Sequence, residues 1–301
     1  GTLFGQASGM LARAFGGAAS NIALSLYIMD YIRKRDLVHS EPLRLTLGAV
    51  AWAAGPFLGV FLNESIGRGS GELVTVMSGL LLLGYFWRLR MQENPAVAAA
   101  TRPPPSPIGG IGRFLAQPRL RLAWFIPFGR SCWWAMFSVY PPIYMAEVYA
   151  EDRAFGHLMG GLIVSAGNAL LLGSPLVGRL AARIGLRRPI IAAFVGNGLL
   201  TILAAVFFEM PVVVVATLLG AAVGAAVLDA LGNIPFMRSV HPYERPQMTT
   251  VFRTYIDLSD LLPALVFSIL LSHFDMRAVF VASGLFAFVV AGVARRLPQR
   301  M

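Results

Sequence analysis

Residues 187–236 read RRPIIAAFVGNGLLTILAAVFFEMPVVVVATLLGAAVGAAVLDALGNIPF. This stretch contains two apolar runs, 187–208 and 211–236, joined by a very short connection. A helix of about 20 mostly apolar residues is long enough to cross a lipid bilayer. Each run is therefore predicted to be a membrane-spanning helix.

The same pattern recurs along the whole chain. The stretches that qualify as membrane spans are 9–32, 43–63, 71–91, 120–146, 155–182, 187–208, 211–236, 247–272 and 276–295. Long apolar runs favour helices, because the strands of a membrane barrel would alternate between apolar and polar residues. The predicted fold class is an all-α integral membrane bundle with nine transmembrane helices.

The composition excludes several other classes of protein. Of the 301 residues, 56% are hydrophobic and only 13% are charged, whereas soluble domains carry roughly 25% charged residues. A soluble enzyme, a disordered chain and a disulfide scaffold are therefore excluded, and the single cysteine, Cys132, cannot form an internal disulfide. No cofactor, metal site or enzymatic activity is predicted, because the four histidines form no ligand cluster and no nucleotide-binding loop is present.

The positive charges lie mainly in the loops on one side of the predicted spans. The net charge is +10, which in a soluble protein would suggest nucleic-acid binding. When the loop at 33–44 is placed in the cytoplasm, most of the 25 basic residues fall in inner segments. This bias satisfies the positive-inside rule. It excludes a nucleic-acid partner and predicts a protein of the bacterial inner membrane with a cytoplasmic C-terminus.

Residues 92–119 form the longest connection between spans. They are rich in proline, glycine and arginine, a composition that is typical of an extended or disordered segment. The predicted organisation is therefore a three-helix part at 1–91, a cytoplasmic linker at 92–119 and a six-helix half at 120–301.

Three short motifs follow one another along these spans. The first span contains RAFGGAAS from Arg13 and ends near Asp30, the second contains AGPFLG at 54–59, and GRLAARIGLRRP occupies 178–189. The motif positions expected to be structural are Asp30, Gly55, Pro56, Gly59, Gly178, Arg183, Gly185 and Arg188. A Gly-Pro pair removes a helical hydrogen bond and lets another helix approach. The loop at 178–189 is expected to turn tightly at Gly185, although topology alone could also require a short basic turn.

The three motifs resemble those of the major facilitator superfamily, both in their order along the chain and in the side of the membrane that is predicted for the loops. The first is similar to the fourth-helix pattern RxxxGxxa of that family, the second to its fifth-helix antiporter signature GPxxG, and the third to its loop motif GxLaDrxGrk. Ala182 stands where the loop motif has an aspartate. The resemblance implies that the nine spans correspond to helices 4–12 of a twelve-helix transporter, so that the N-terminal three are expected to be missing from this chain.

Ionisable side chains inside membrane spans are rare, because each costs at least about 2.5 kcal/mol. Together with two central amides, they are candidates for a substrate or proton pathway. These candidates are Arg13, Arg130, Asn168, Asp229, Asn233, Asp257 and Asp260. On a helix, residues three or four apart share a face, so Asp229 is expected beside Asn233 and Asp257 beside Asp260.

Two of these candidates support specific predictions. Arg130 lies near mid-depth and is expected to pair with an acid of the second half, with Asp260 preferred over Asp229, or else with an anionic substrate. The Asp257/Asp260 pair is expected to carry a coupling proton, because two such close carboxylates do not both ionise easily. In the structural alternative, Asp257 pairs with Arg253 and Asp260 bonds a neighbouring helix.

These features favour a secondary active transporter of a small molecule. The Gly-Pro motif and the buried acids favour a proton-coupled antiporter or exporter that works by alternating access between two halves. The alternatives are an importer or facilitator of a metabolite, and a non-transporting membrane sensor or assembly protein. The expected partners are a small-molecule substrate, protons and the lipid bilayer, and the expected state is a monomer.

Overall fold

The computed structural model describes residues 37–90, 107–240 and 245–298, together with Gly5, Ser8, Gly9, Leu11, Ala12 and 15–17. Within these ranges the chain forms α-helices and a single 3-10 turn, Leu170–Gly173, and it contains no strand. The helices are α1 (Leu37–Ser65), α2 (Ser70–Arg90), α3 (Pro107–Ala116), α4 (Pro118–Val148), α5 (Arg153–Ala169), α6 (Ser174–Ile184), α7 (Arg187–Val206), α8 (Pro211–Leu231), α9 (Ile234–Ser239), α10 (Arg245–Leu271) and α11 (Met276–Ala294). The predicted all-α class is confirmed.

Seven segments of the described ranges are long and apolar enough to cross a bilayer. They are Thr46–Ser65, Ser70–Arg88, Arg153–Ala181, Arg187–Val206, Pro211–Ser239, Gln247–Leu271 and Met276–Ala294. Helix α4 is also long enough, with 31 residues, but Arg130 and the prolines Pro127, Pro141 and Pro142 make it less apolar. Most of the first predicted span, including Arg13 and Asp30, lies outside the described residues.

Two of the predicted spans are interrupted where a proline follows. Pro175 lies in the first turn of α6 and Pro235 in the first turn of α9. A proline has no backbone N–H, so the carbonyl one turn earlier loses its helical hydrogen bond. The span predicted at 155–182 is accordingly divided into α5, the 3-10 turn and α6, and the span at 211–236 is divided into α8 and α9.

The chain divides into two compact units, residues 1–45 with 81–103, and residues 46–80 with 104–301. The second unit contains all of the candidate residues that the structure describes. The organisation predicted from the linker at 92–119 stays a prediction.

Apolar side chains of the second unit pack in clusters at the two ends of its helices. At one end, Ile126, Ile190 and Leu231 join α4, α7 and α8 to the last turns of α11. At the other end, Tyr144 and Val279 join the end of α4 to the start of α11. The starts of α4 and α7 therefore lie at the same end of the bundle as the ends of α8 and α11.

Glycines allow several of these helices to approach closely. A methyl group at Gly156 would lie 2.9 Å from the Met145 carbonyl oxygen, and one at Gly160 would lie 2.7 Å from the Pro142 Cα. Inside a membrane, such close van der Waals packing replaces much of the hydrophobic driving force that soluble proteins use. These two glycines therefore bring α5 against the second half of α4.

The predicted tight turn occurs at Gly185, between α6 and α7. Its backbone angles are φ +81° and ψ +169°, a combination that is accessible almost only to glycine. The Gly185 N–H donates to the Ala181 carbonyl at 2.9 Å and ends α6. Arg183 and Arg188 flank the turn and are exposed.

We predict that Gly185→Ala lowers the free energy of unfolding by about 1–3 kcal/mol, because an alanine Cβ is strained at these angles. Gly178→Ala is the matched control. Its Cβ would meet nothing within 4 Å inside α6, so this change should be neutral or stabilise the protein by up to about 1 kcal/mol. Equilibrium unfolding in mixed micelles measures both, and equal losses would contradict the strained turn.

Candidate functional site

The centre of the second unit holds an ion pair between α4 and α8. Nη1 of Arg130 lies 2.9 Å from Oδ1 of Asp229. The Arg130 side chain is 9% exposed and that of Asp229 is 28% exposed. A guanidinium so far from bulk water needs an anion beside it, and Asp229 supplies that charge.

Trp134 completes the coordination of the same carboxylate. It lies four residues after Arg130, so both side chains project from one face of α4. The Trp134 indole Nε1–H donates to Oδ2 of Asp229 at 2.7 Å. Both carboxylate oxygens are thus bound by donors from a single helix, which holds the carboxylate in one orientation.

The other side of Arg130 contacts α10. Its Nη2 donates to the Ser131 hydroxyl at 3.1 Å and to the Tyr255 hydroxyl at 3.4 Å. The guanidinium carbon also lies 5.7 Å from the centre of the Tyr255 ring, within range of a cation–π interaction. Arg130 therefore links three helices: α4, α8 and α10.

The preference for Asp260 as the partner of Arg130 is wrong. The observed partner is the second choice, Asp229. On α10 the residue that faces Arg130 is Tyr255, which is 6% exposed. Asp260 lies five positions further along, roughly 140° around the helix, and both it and Asp257 are on the exposed side. Helical rotation thus explains why the acid of α8, rather than an acid of α10, reaches the arginine.

Asn233, predicted to share a helix face with Asp229, lies just beyond the end of α8. Helix α8 ends at Leu231, and Asn233 lies in the connection immediately before α9. The Oδ1 atom of Asn233 is buried and has no hydrogen-bond partner among the described residues. Gly232 and Asn233 keep right-handed helical backbone angles, so a face shared with Asp229 stays a prediction.

A cavity of about 730 Å³ opens beside the Asp229 carboxylate. Its lining combines two tryptophans and apolar residues with three polar side chains, Ser138, Asn168 and Asp229. The lining residues are Ala51, Trp52, Gly55, Pro56, Val60, Trp134, Ser138, Pro142, Gly161, Val164, Asn168, Leu171 and Asp229. The cavity thus unites the predicted Asn168 and Asp229 with the Gly-Pro motif of α1, and Arg130 lies directly behind Asp229.

The Gly-Pro motif forms the crossing point of α1 with α5. A methyl group at Gly161 would lie 3.1 Å from the Pro56 carbonyl oxygen. The Phe57 N–H donates to the Ser165 hydroxyl at 3.0 Å. Another helix does approach the motif, but the glycine that permits the approach is Gly161 of α5, since a methyl group at Gly55 would meet nothing within 4 Å. Ser165, which sequence reasoning missed, stabilises the crossing.

One turn later, Gly59 contributes its backbone carbonyl to the hairpin of α1 and α2, although a methyl group at Gly59 itself would meet nothing within 4 Å. A methyl group at Gly71 would lie 3.0 Å from the Gly59 carbonyl oxygen, so the two backbones nearly touch. Asn63 Oδ1 then accepts hydrogen bonds from the N–H groups of Gly69 and Gly71. This side chain thus holds the turn between the two helices.

The residues that form this site overlap a segment of known family. A family model described as Major Facilitator Superfamily matches residues 134–300. The chain belongs to the major facilitator superfamily. It is therefore a membrane transporter of the major facilitator type. The match includes Trp134, Asn168 and Asp229, whereas Arg130 lies four residues before it.

A search of curated proteins finds no significant match to this chain. The resemblance inferred from the three motifs is nevertheless confirmed at the level of the superfamily, because the matched segment extends from the second half of α4 through α11. In the part of the chain that the structure describes, no group of histidine, cysteine or acidic side chains is arranged to hold a metal ion.

We predict that Arg130→Gln lowers the free energy of unfolding by about 3 kcal/mol, because it leaves the Asp229 carboxylate without its counter-charge. The double variant Arg130→Gln/Asp229→Asn should recover most of this loss, since neither charge remains. Arg277→Gln is the control. It breaks the exposed pair with Glu209 and should cost less than about 1 kcal/mol. A double variant no more stable than Arg130→Gln would contradict the pairing.

Proposed function

We propose that this transporter is a proton-coupled antiporter that exports a small molecule through the cavity beside Asp229. One observation carries the proposal. A carboxylate that forms part of a cavity wall is also bound by a buried arginine and by an indole N–H. Ionisable groups inside membrane proteins commonly form proton relays and substrate sites. Asp229 is the described acid that combines both features.

The ion pair supports a simple coupling scheme. While Asp229 is ionised, it attracts Arg130 and holds α4 to α8. A proton on Asp229 removes this charge, weakens the attraction and leaves Arg130 to its remaining contacts with Ser131 and Tyr255. In this scheme a substrate that binds the ionised carboxylate competes with the proton, as antiport requires.

The cavity supports a small amphipathic substrate. Its volume lies within the roughly 300–1,000 Å³ range of ligand pockets. Trp52 and Trp134 offer flat apolar surfaces, and Ser138 and Asn168 offer hydrogen-bonding groups. Within the described ranges the Asn168 amide makes no side-chain hydrogen bond, so it is available to a substrate. A positively charged or strongly dipolar group on the substrate would be attracted to Asp229.

The pair Asp257 and Asp260 remains the second proposed proton carrier. The two carboxylates are three residues apart on the exposed side of α10, a spacing that brings their side chains close. They are separated by helical rotation from Tyr255, which contacts Arg130. Substitution of each acid therefore distinguishes a carrier on α8 from one on α10.

We further propose that the C-terminus is cytoplasmic, that the protein resides in a bacterial inner membrane and that it acts as a monomer. The helix ends that share the Ile190 and Leu231 cluster are strongly basic. They carry Arg119, Arg121, Arg183, Arg187, Arg188, Arg238, Arg295 and Arg296. Acidic residues such as Glu147, Glu151 and Asp152 are found at the opposite end, as the positive-inside rule would require of the outer face.

We predict that Asp229→Asn lowers proton-coupled transport at least about tenfold. Exchange of a neutral substrate should continue, because it needs neither the charge on Asp229 nor net proton movement, whereas exchange of a cationic substrate should weaken as well. The assay uses proteoliposomes with an imposed pH gradient and an internal pH dye. A panel of small amphipathic cations and neutral compounds is screened for release of the gradient. Glu151→Gln, an exposed acid at a helix end, is the matched control.

Two results would contradict the proposal. If no compound in the panel releases the gradient while radiolabelled exchange is measurable, coupling to protons is wrong and a facilitator is favoured. If Asp229→Asn behaves like Glu151→Gln while Asp257→Asn or Asp260→Asn abolishes coupling, the carrier lies on α10 instead.

A further inference from the structure

A second cavity, of about 620 Å³, lies at the basic end of the bundle, away from Asp229. It is formed where α4 begins and where α9 and α11 end. The lining residues are Pro118, Arg119, Arg121, Leu122, Phe125, Pro235, Ser239, Val293, Arg296, Leu297 and Pro298. Three arginines therefore converge on one cavity whose lining includes no acidic residue.

The arginines reach the cavity from two separate helices. Arg119 and Arg121 belong to the first turns of α4, and Arg296 belongs to the turn that follows α11. No ion pair joins any of the three to a carboxylate within the described residues. Their charges repel one another, so an anion placed between them would be strongly favoured.

Ser239 provides an independent indication of a ligand. Its hydroxyl oxygen is buried, yet it has no hydrogen-bond partner among the described residues. An unsatisfied buried hydroxyl costs about 1–3 kcal/mol, which an acceptor oxygen from a ligand would offset. Ser239 lies at the end of α9, on a different element from all three arginines.

The first turn of α4 adds a partial positive charge to the same site, although Pro118 has no N–H and the N–H groups of Leu120 and Arg121 already donate to the Gln117 carbonyl. The Gln117 side chain does not cap this helix. The partial positive charge of the helix N-terminus is therefore left at the edge of the cavity. Three guanidinium groups, a free hydroxyl and a helix N-terminus form a donor set that matches a tetrahedral oxyanion, because guanidinium groups bind phosphate through paired N–H donors.

We propose that this cavity binds a phosphate group, carried by the headgroup of an anionic phospholipid or present as free phosphate. The apolar part of the wall, Leu122, Phe125, Val293 and Leu297, would contact the glycerol and the first methylene groups of a lipid. Basic pockets between helices on the cytoplasmic side of membranes bind such headgroups. The site is separate from the transport cavity and does not rest on the function proposed for Asp229.

The test measures lipid binding by native mass spectrometry of the purified protein. Phosphatidylglycerol is the probe, and phosphatidylcholine, with a zwitterionic headgroup, is the comparison lipid. The double variant Arg121→Gln/Arg296→Gln removes two of the three charges. Arg295→Gln is the matched control, because Arg295 is the exposed neighbour of Arg296 at the same helix end but does not line the cavity.

We expect saturable binding of phosphatidylglycerol over phosphatidylcholine. The affinity should fall roughly tenfold or more in the double variant and remain near wild type in Arg295→Gln, since each basic residue contributes about 1 kcal/mol to such contacts. Ser239→Ala should also weaken binding. Because this variant changes no charge, its effect distinguishes a specific binding site from general attraction to basic residues.

The source of the phosphate is decided by competition with inorganic phosphate. Displacement of phosphatidylglycerol by millimolar phosphate, lost in the same variants, would assign the site to free phosphate. No displacement would assign it to the lipid. The proposal is overturned if Arg121→Gln/Arg296→Gln and Arg295→Gln lose equal affinity, or if phosphatidylcholine binds as well as phosphatidylglycerol.

Discussion

The ion pair between Arg130 and Asp229 is the constraint on which the centre of the structure depends. A buried guanidinium requires an anion, and this requirement determines which face of α4 is directed towards α8. Once α4 has that rotation, Trp134 reaches the second carboxylate oxygen and also lines the cavity beside Asp229. Tyr255 of α10 then meets the remaining guanidinium nitrogen. One buried charge thus orients three helices around the cavity.

The opposite wall of that cavity is held by backbone contacts rather than by charge. Gly161 lets α5 pack against the backbone at Pro56, and the Ser165 hydroxyl accepts the hydrogen bond that Phe57 donates. Such contacts are weak individually and depend on close fit. A wall of this kind contains no charge, whereas separation of Arg130 from Asp229 would leave a buried charge without its partner. The cavity therefore has one wall, formed by α1 and α5, that is held by close packing, and another, formed by α4 and α8, that is held by an ion pair.

Sequence alone predicted the parts of this arrangement that depend on local chemistry. Apolar run length predicted the helices, a buried Arg130 predicted an acidic partner, and the glycine in the loop motif predicted the turn at Gly185. The identity of the partner could not be read from spacing, because it depends on how α4, α8 and α10 are rotated about their axes. The interruption between α8 and α9, just before Pro235, could not be read from the length of the apolar run. Ser165 and Tyr255 gave no signal, since isolated hydroxyls are common in membrane helices.

Helix α4 lines both cavities, and two of its prolines, Pro127 and Pro142, lie on either side of the segment that carries the ion pair. Pro127 lies between Arg121 and Arg130, and a proline inside a helix removes a hydrogen bond and permits a bend. Pro142, further along, is the residue against which Gly160 packs. The segment that carries Arg130 and Trp134 therefore lies between a missing helical hydrogen bond at Pro127 and a close contact with α5 at Pro142. In the coupling scheme proposed for Asp229, loss of the ion pair would therefore act first on this segment and on α5, which packs against it, rather than on the basic start of α4.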